Sequence, residues 1–427
     1  DLAASQIVVK GEVVVDLVVD WGARVWRRPL TDDEVDDYLA FHDDLGGGEI
    51  GFEALLRRLL QSPSLVFHFE DGTDETDHGR RRLSDHEVAS RIAYLTTGGP
   101  PDATLFDAAA TGALTTVDDA RREVQRLLDS ETSRQRVEAF FRFYTALPDL
   151  PDPPANVALH AGVDPEGLGA ALTDEAITFF DALVYGDGTY VDLMTSTEAY
   201  PPTDAAANVL GTSATGPVVA PDHPGLLHRP ALLMTYGERT SPILRGAHLR
   251  KLFLCDDLGL PDPVAVEAAQ EELGDTSAMT NREAVTALTA DAACAGCHAL
   301  VNPLGFVFEG YDQIGVVRTE EALLDEQGGV VRTFPIDTRV TDIPLVEPEP
   351  ISVDDSNGFA QVMAHSAKAR QCLSRRLFEY VHRDAWDPER DTCLVHDIDE
   401  AARDATLRDA LVASIANADL FWKEDPR

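Results

Sequence analysis

Lysine is almost missing from this chain of 427 residues. It occurs only as Lys10, Lys251, Lys368 and Lys423, so arginine supplies nearly all of the positive charge. Lysine and arginine together number 35 against 75 aspartates and glutamates, and the net charge is -40. A surface so short of cations excludes nucleic acid and anionic membrane as partners, because both are held by basic side chains meeting phosphate. A basic partner or a salty medium fits that charge. Long apolar runs are lacking as well: the longest, Val13 to Val19, is interrupted by Asp16. That falls far short of the ~18 residues a bilayer requires, so no membrane span is expected. Common catalytic signatures are also absent. There is no Gly-x-Ser-x-Gly, His-Glu-x-x-His, phosphate loop or dinucleotide fingerprint, which removes the hydrolases, zinc proteases and nucleotide enzymes built on them. Ser84-Asp85-His86 spells a catalytic triad, but adjacent residues at a helix start do not converge, and Ser84 with Glu87 reads as a capping box.

Cysteine is scarce, and two of the 5 stand in the pentapeptide Cys294-Ala295-Gly296-Cys297-His298. Cys-x-x-Cys-His is the attachment signature of a c-type haem. Two thiols three positions apart can each form a thioether with one vinyl group, and the adjacent histidine then ligates the iron. With 5 cysteines and 12 histidines in 427 residues, chance rarely assembles that string. The competing readings are a structural zinc site and a disulfide within the motif. Zinc wants a second close pair of ligands, which Cys255, Cys372 and Cys393 do not supply. One covalent haem c is therefore expected, anchored by Cys294 and Cys297 with His298 on the iron. Such attachment, like any disulfide among the other cysteines, belongs to oxidising surroundings, so a periplasmic, secreted or cell-surface location is expected.

Helical periodicity organises most of the chain. Capping boxes at Thr31 with Glu34 and at Ser84 with Glu87 open two helices. Others are expected at Ala103 to Ala110, Val117 to Asp129, Thr132 to Tyr144, Leu168 to Tyr185, Gly225 to Tyr236 and Gly246 to Leu254. Two more are expected at Gly358 to Val381 and near Thr392 to Leu420. Only Val330 to Ile343 reads as β, a short ribbon. The expected fold class is mainly α, a multi-helical array of packed helical domains with a cytochrome c-like haem segment. The length exceeds one typical core, and four domains are expected: an N-terminal helical domain over residues 1–75, a long helical domain over 76–224, a haem c-binding domain over 225–330, and a ribbon and C-terminal helical domain over 331–427. Helix-hairpin spacing favours a disulfide between Cys372 and Cys393, closing a loop of about 20 residues. Cys255 with Cys372 is the competing pairing.

The residues after the motif extend it: Asn302-Pro303-Leu304-Gly305, then Tyr311-Asp312-Gln313-Ile314-Gly315-Val316-Val317-Arg318. The segment from Asp291 to Arg318 resembles a group of secreted multidomain proteins of planctomycetes and myxobacteria. These are built of domains of unknown function in which Cys-x-x-Cys-His precedes Asp/Asn-Pro-Leu-Gly and an aromatic-Asp-x-Ile-Gly-x-x-Arg tail. The resemblance runs nearly end to end, through Trp26-Arg27-Arg28-Pro29-Leu30-Thr31, Leu83 to Leu95, Arg239 to Gly246 and Cys372 to Tyr380. It departs at Leu288, where the group often has histidine, and at Asn302, where aspartate is usual. It implies haem c and no established reaction.

Pro303, Leu304, Gly305 and Phe306 are expected to wall the proximal side of the haem, glycine allowing close backbone approach to the porphyrin. Arg245 and Arg318 are candidate bidentate partners of the haem propionates, in competition with ordinary ion pairs. For the sixth iron position Met234, Met279, Met363, His228, His248 and His365 compete, and Met279 is favoured because it lies in a polar loop just upstream of the motif. The functional expectation is an extracytoplasmic monohaem c-type cytochrome that transfers electrons to a redox partner or within a larger extracellular assembly. The alternatives are a peroxidase-like haem oxidoreductase with an open sixth site and a structural surface protein without haem.

Overall fold

Apolar residues at helical spacing need a partner face, and in the computed structural model they find it mainly by packing helix on helix. The structure describes residues 11–259, 263–264, 266–267, 271, 275–344 and 351–424. The chain is mainly α, with only short antiparallel strand pairs among the described residues. It divides into two compact units, one formed by residues 1–136 with 415–427 and the other by residues 137–414.

In the first unit the helices Gly11–Trp26, Asp32–Asp44 and Gly48–Leu60 bury Val14, Val18, Tyr38, Leu55 and Leu59 in one cluster. The turn between the first two is set by Thr31, whose hydroxyl accepts from the Glu34 amide while Glu34 accepts from the Thr31 amide, the reciprocal cap foreseen in the sequence. Ser84 and Glu87 repeat that arrangement at the start of the helix Asp85–Thr96, which packs on Ala103–Ala110 and Val117–Leu128. A small antiparallel sheet joins Thr76–Asp77, Arg80–Arg82 and the C-terminal Trp422–Glu424.

The second unit is built around the helix Leu168–Tyr185, whose Leu172, Ala176, Phe179, Phe180 and Val184 are all buried. Phe140, Phe141 and Tyr144 pack with Phe180, Phe253 and Tyr380. Within this core Arg229 and Glu175 form an ion pair at 2.8 Å, both side chains fully enclosed, and the guanidinium lies over the Phe179 ring.

Several sequence boundaries shift. Val330 to Ile343 does not fold on itself: Val330–Pro335 pairs with Glu320–Leu324, and Val340–Ile343 pairs with Ile351–Val353. The long C-terminal helices each break once. Ser366 caps a new start at Ala367, and Thr392–Asp404 ends before Leu407–Ile415. The helix expected over Gly246 to Leu254 is instead Pro242–His248 running into a wider π turn, Leu249–Phe253. The cysteine pairing also differs from the favoured one: Cys255 is bonded to Cys372, and Cys393 is an exposed free thiol. Loop length ignores which way side chains face. Cys372 sits on the buried side of Ala367–His382, toward the turn at Leu252 and Leu254, while Cys393 faces solvent.

Candidate haem-attachment site

The pentapeptide lies in the first half of the helix Ala292–Phe306. Asp291 caps it, its carboxylate accepting from the Ala293 amide at 2.8 Å. Helical spacing puts Cys294, Cys297 and His298 on one face, at i, i+3 and i+4. Both thiols are free, Cys297 exposed and Cys294 partly so. The residues between and beside them are small and exposed: Ala293, Ala295, Gly296 and Ala299. At Gly296, on the other side of the same turn, a Cβ would meet nothing within 4 Å.

His298 is oriented by a relay of hydrogen bonds whose directions can be worked out in turn. Thr289 Oγ1 donates to the Val285 carbonyl at 2.8 Å, so that oxygen is left to accept from Asn302 Nδ2 at 2.9 Å. Asn302 therefore turns its Oδ1 toward His298 Nδ1, 2.9 Å away. An amide oxygen only accepts. Nδ1 must carry the hydrogen, which in the neutral ring leaves the lone pair on Nε2, the tautomer a metal-ligating imidazole needs. Cys297 Sγ lies 3.7 Å from the Leu258 carbonyl, and two thiols and one preset imidazole on one helix face fit a covalently attached haem. Among the described residues no three His, Cys, Asp or Glu side chains converge as a metal-ion site, so the zinc reading finds no second ligand pair there.

The helix is held from behind by the segments whose residues carry the family resemblance. Gly246 and Gly305 allow it to touch Pro242–His248 backbone to backbone: a Cβ at Gly246 would lie 2.0 Å from the Val301 oxygen, and one at Gly305 would lie 1.9 Å from the Pro242 oxygen. The close approach that Gly305 permits is thus to a neighbouring helix rather than to a porphyrin. Leu304 and Phe306 are buried, and Pro303 is partly exposed.

Arg245 is buried, and its guanidinium donates to the carbonyls of Leu233, Phe308, Tyr311 and Asp312. Burial pushes this group down to about 10, against the opposing pull of Glu309. Arg318 donates to the Glu309 carbonyl at 3.0 Å, to Thr240 Oγ1 at 3.2 Å and to the Glu309 carboxylate at 3.4 Å. Both arginines are therefore spent on the loop that follows the motif helix. Glu309 is the hub of that loop: buried, it accepts from Thr240 Oγ1 at 2.7 Å and from Asn281 Nδ2 at 3.0 Å. Nearby, Glu321 takes the Asn281 amide at 2.9 Å and pairs with Arg239. Asp312 accepts from the amides of Ile314 and Val316, while burial raises its carboxyl above the usual range.

The sixth-ligand candidates separate by environment. Met363 is fully buried, and Met234 Sδ accepts from the Tyr236 hydroxyl at 3.3 Å. His228 is fully buried, its Nδ1 against the Pro224 carbonyl, and burial pushes it down to about 3. His365 is exposed, with Nδ1 on the Gln361 carbonyl at 2.8 Å, and His248 is exposed at the end of its helix. Met279 is partly exposed in the turn before Asn281–Leu288, where its carbonyl accepts from Arg239 Nη2 at 2.8 Å. The sequence reading missed Thr289, Thr240, Asn281, Glu309 and Glu321. Only the i, i+4 spacing of His298 and Asn302 was a usable signal.

Three family models match successive stretches: PSD5, a protein of unknown function (DUF1595), over residues 14–70; PSD4, a protein of unknown function (DUF1592), over residues 83–208; and PSCyt3, a protein of unknown function (DUF1588), over residues 223–321. No curated protein and no solved structure matches the chain. The PSCyt3 match contains the pentapeptide, Asn302, Arg245 and Arg318. In its three matched stretches, then, the chain is similar to planctomycete-type domains of unknown function that are associated with cytochrome c-like proteins.

Proposed function

We propose that this chain is an extracytoplasmic monohaem c-type cytochrome, passing electrons to a protein partner or within a larger assembly. One observation carries the reading: the Thr289–Asn302 relay leaves His298 Nε2 with a lone pair on the same helix face as two free thiols. Each thiol would add across one vinyl double bond, sulfur going to one carbon and hydrogen to the other, so attachment would consume no oxidant. The bound haem supplies one-electron chemistry at its iron. Cys294 and Cys297 would fix its position, His298 would bind its iron, and Asn302 would hold that imidazole in register. Met279 is the second side chain we assign to the iron, which it would hold as the partly exposed thioether nearest upstream in the chain. The Cys255–Cys372 disulfide supports an extracytoplasmic location.

Intact-mass analysis of denatured protein from haem-competent cells tests the attachment. One haem's added mass is expected, and it should vanish in the Cys294→Ala, Cys297→Ala double variant. An unmodified wild-type mass overturns the proposal. Carbon monoxide then separates electron transfer from an enzyme with an open site: the ferrous wild type should not bind it, and Met279→Ala should.

A further inference from the structure

Arg27 follows the helix Gly11–Trp26 with φ of +55°, the left-handed conformation in which helices commonly end on glycine. A side chain at such a position is strained relative to glycine, so its presence asks for a use. The residue is only 6% exposed. Its Nη2 donates to the Phe67 carbonyl at 2.7 Å, and the guanidinium lies 5.9 Å from the Tyr94 ring centre. Among the described residues no carboxylate pairs with it, in a chain that has 75 of them.

Arg27 lines a cleft of about 280 Å³ together with Trp26, Ser64, His68, His86 and Ser90. Of the other charges around the cleft, all but Asp71 are already matched. Arg28 is held by Glu34 at 2.8 and 2.9 Å, and Glu70 by Arg91 at 2.6 and 2.7 Å. Glu87 accepts from the amides of Asp71, Gly72 and Ser84, and Asp71 is exposed. Among the described residues the Arg27 guanidinium keeps its hydrogens other than the one given to Phe67, and His86 Nδ1 is buried without a hydrogen-bond partner. Burial holds the imidazoles of His68 and His86 below the usual histidine range, so they serve as neutral hydrogen-bonding groups.

We propose that this cleft binds a small organic carboxylate. The planar Arg27 fork takes the two carboxylate oxygens side by side, an N–H of His86 closes on one of them, and Trp26 offers a flat wall to the body of the ligand. One unmatched cation suits one negative charge. A dianionic phosphate would leave surplus charge facing Asp71, Glu70 and Glu87.

Calorimetric titration of the full chain with benzoate, glucuronate and inorganic phosphate tests this. Saturable binding of one carboxylate per chain is expected, benzoate and glucuronate distinguishing an aromatic from a sugar acid, with phosphate at least tenfold weaker. Arg27→Gln should weaken carboxylate binding tenfold or more. His86→Phe keeps Arg27 and its contact to Phe67, and should weaken it several-fold. The proposal is overturned if neither carboxylate binds, if phosphate binds as well as they do, or if binding is unchanged in a folded Arg27→Gln protein. Should Arg27→Gln fail to fold, unchanged binding by His86→Phe overturns it alone.

Discussion

His298 presents its Nδ1 hydrogen to a neutral amide, and that choice of partner sets how much charge the imidazole pushes toward a bound metal. A carboxylate in the same place would draw the hydrogen toward itself, make the ring more basic and favour the oxidised iron. Asn302→Asp is therefore expected to lower the reduction potential of the haem-loaded protein. A hydrogen bond to a charged group differs from a neutral one by roughly 1.5 kcal/mol, which for one electron is roughly 60 mV. Spectroelectrochemical titration reads this directly, and an unchanged potential would remove Asn302 from its positioning role. The pentapeptide was plain in the sequence because its chemistry is local: a fixed spacing on one helix. Asn302 was visible as a departure from the usual aspartate and by its i, i+4 spacing from His298, but its use depends on Thr289, which reaches it from across a turn. Glu309 and Asn281 were invisible for the same reason, being 28 positions apart in sequence and in contact only after folding.

Among the elements, the contact between Pro242–His248 and Ala292–Phe306 is the one that positions the motif. It depends on two glycines whose Cβ atoms would strike backbone, and backbone cannot swing aside. Gly305→Ala is expected to destabilise the protein by about 3 kcal/mol, whereas Gly296→Ala, in open space on the same helix, should be neutral or stabilise by up to about 1 kcal/mol. Urea unfolding of the three proteins without haem checks both, and equal midpoints for the two variants would mean that the crossing is not tight. Helix starts were the most legible elements. Thr31 with Glu34 and Ser84 with Glu87 form the boxes their spelling suggests, and Leu168–Tyr185 has the bounds its apolar pattern gives. Strand pairing was not legible, because Val330–Pro335 and Val340–Ile343 each choose a different partner. Local alternation reveals a strand but says nothing of its neighbour.

For the molecule as a whole, the strongest covalent constraint is the Cys255–Cys372 bond, which spans 117 positions and encloses the motif helix, the Glu309 loop and both ribbon pairs. In the chain-entropy account a loop of that size contributes about 5 kcal/mol. The Cys255→Ser, Cys372→Ser double variant should lose stability of that order in thermal or urea unfolding, and non-reducing peptide mapping should join those two cysteines while Cys393 reacts with maleimide without reductant. A mapped link from Cys393 to either residue would contradict the fold of this unit.

That bond also bears on how the protein is made. In chain order the cysteines are 255, 294, 297, 372 and 393, so the native link joins the first to the fourth and steps over the two motif thiols. A chain oxidised as it is threaded into an oxidising compartment meets Cys294 and Cys297 before Cys372 arrives. Neighbour-to-neighbour bonding would then consume the thiols that attachment requires. Under the proposed haem attachment, biogenesis has a required order: the two motif thiols are capped or kept reduced until Cys372 has emerged, or a mispaired intermediate is reshuffled.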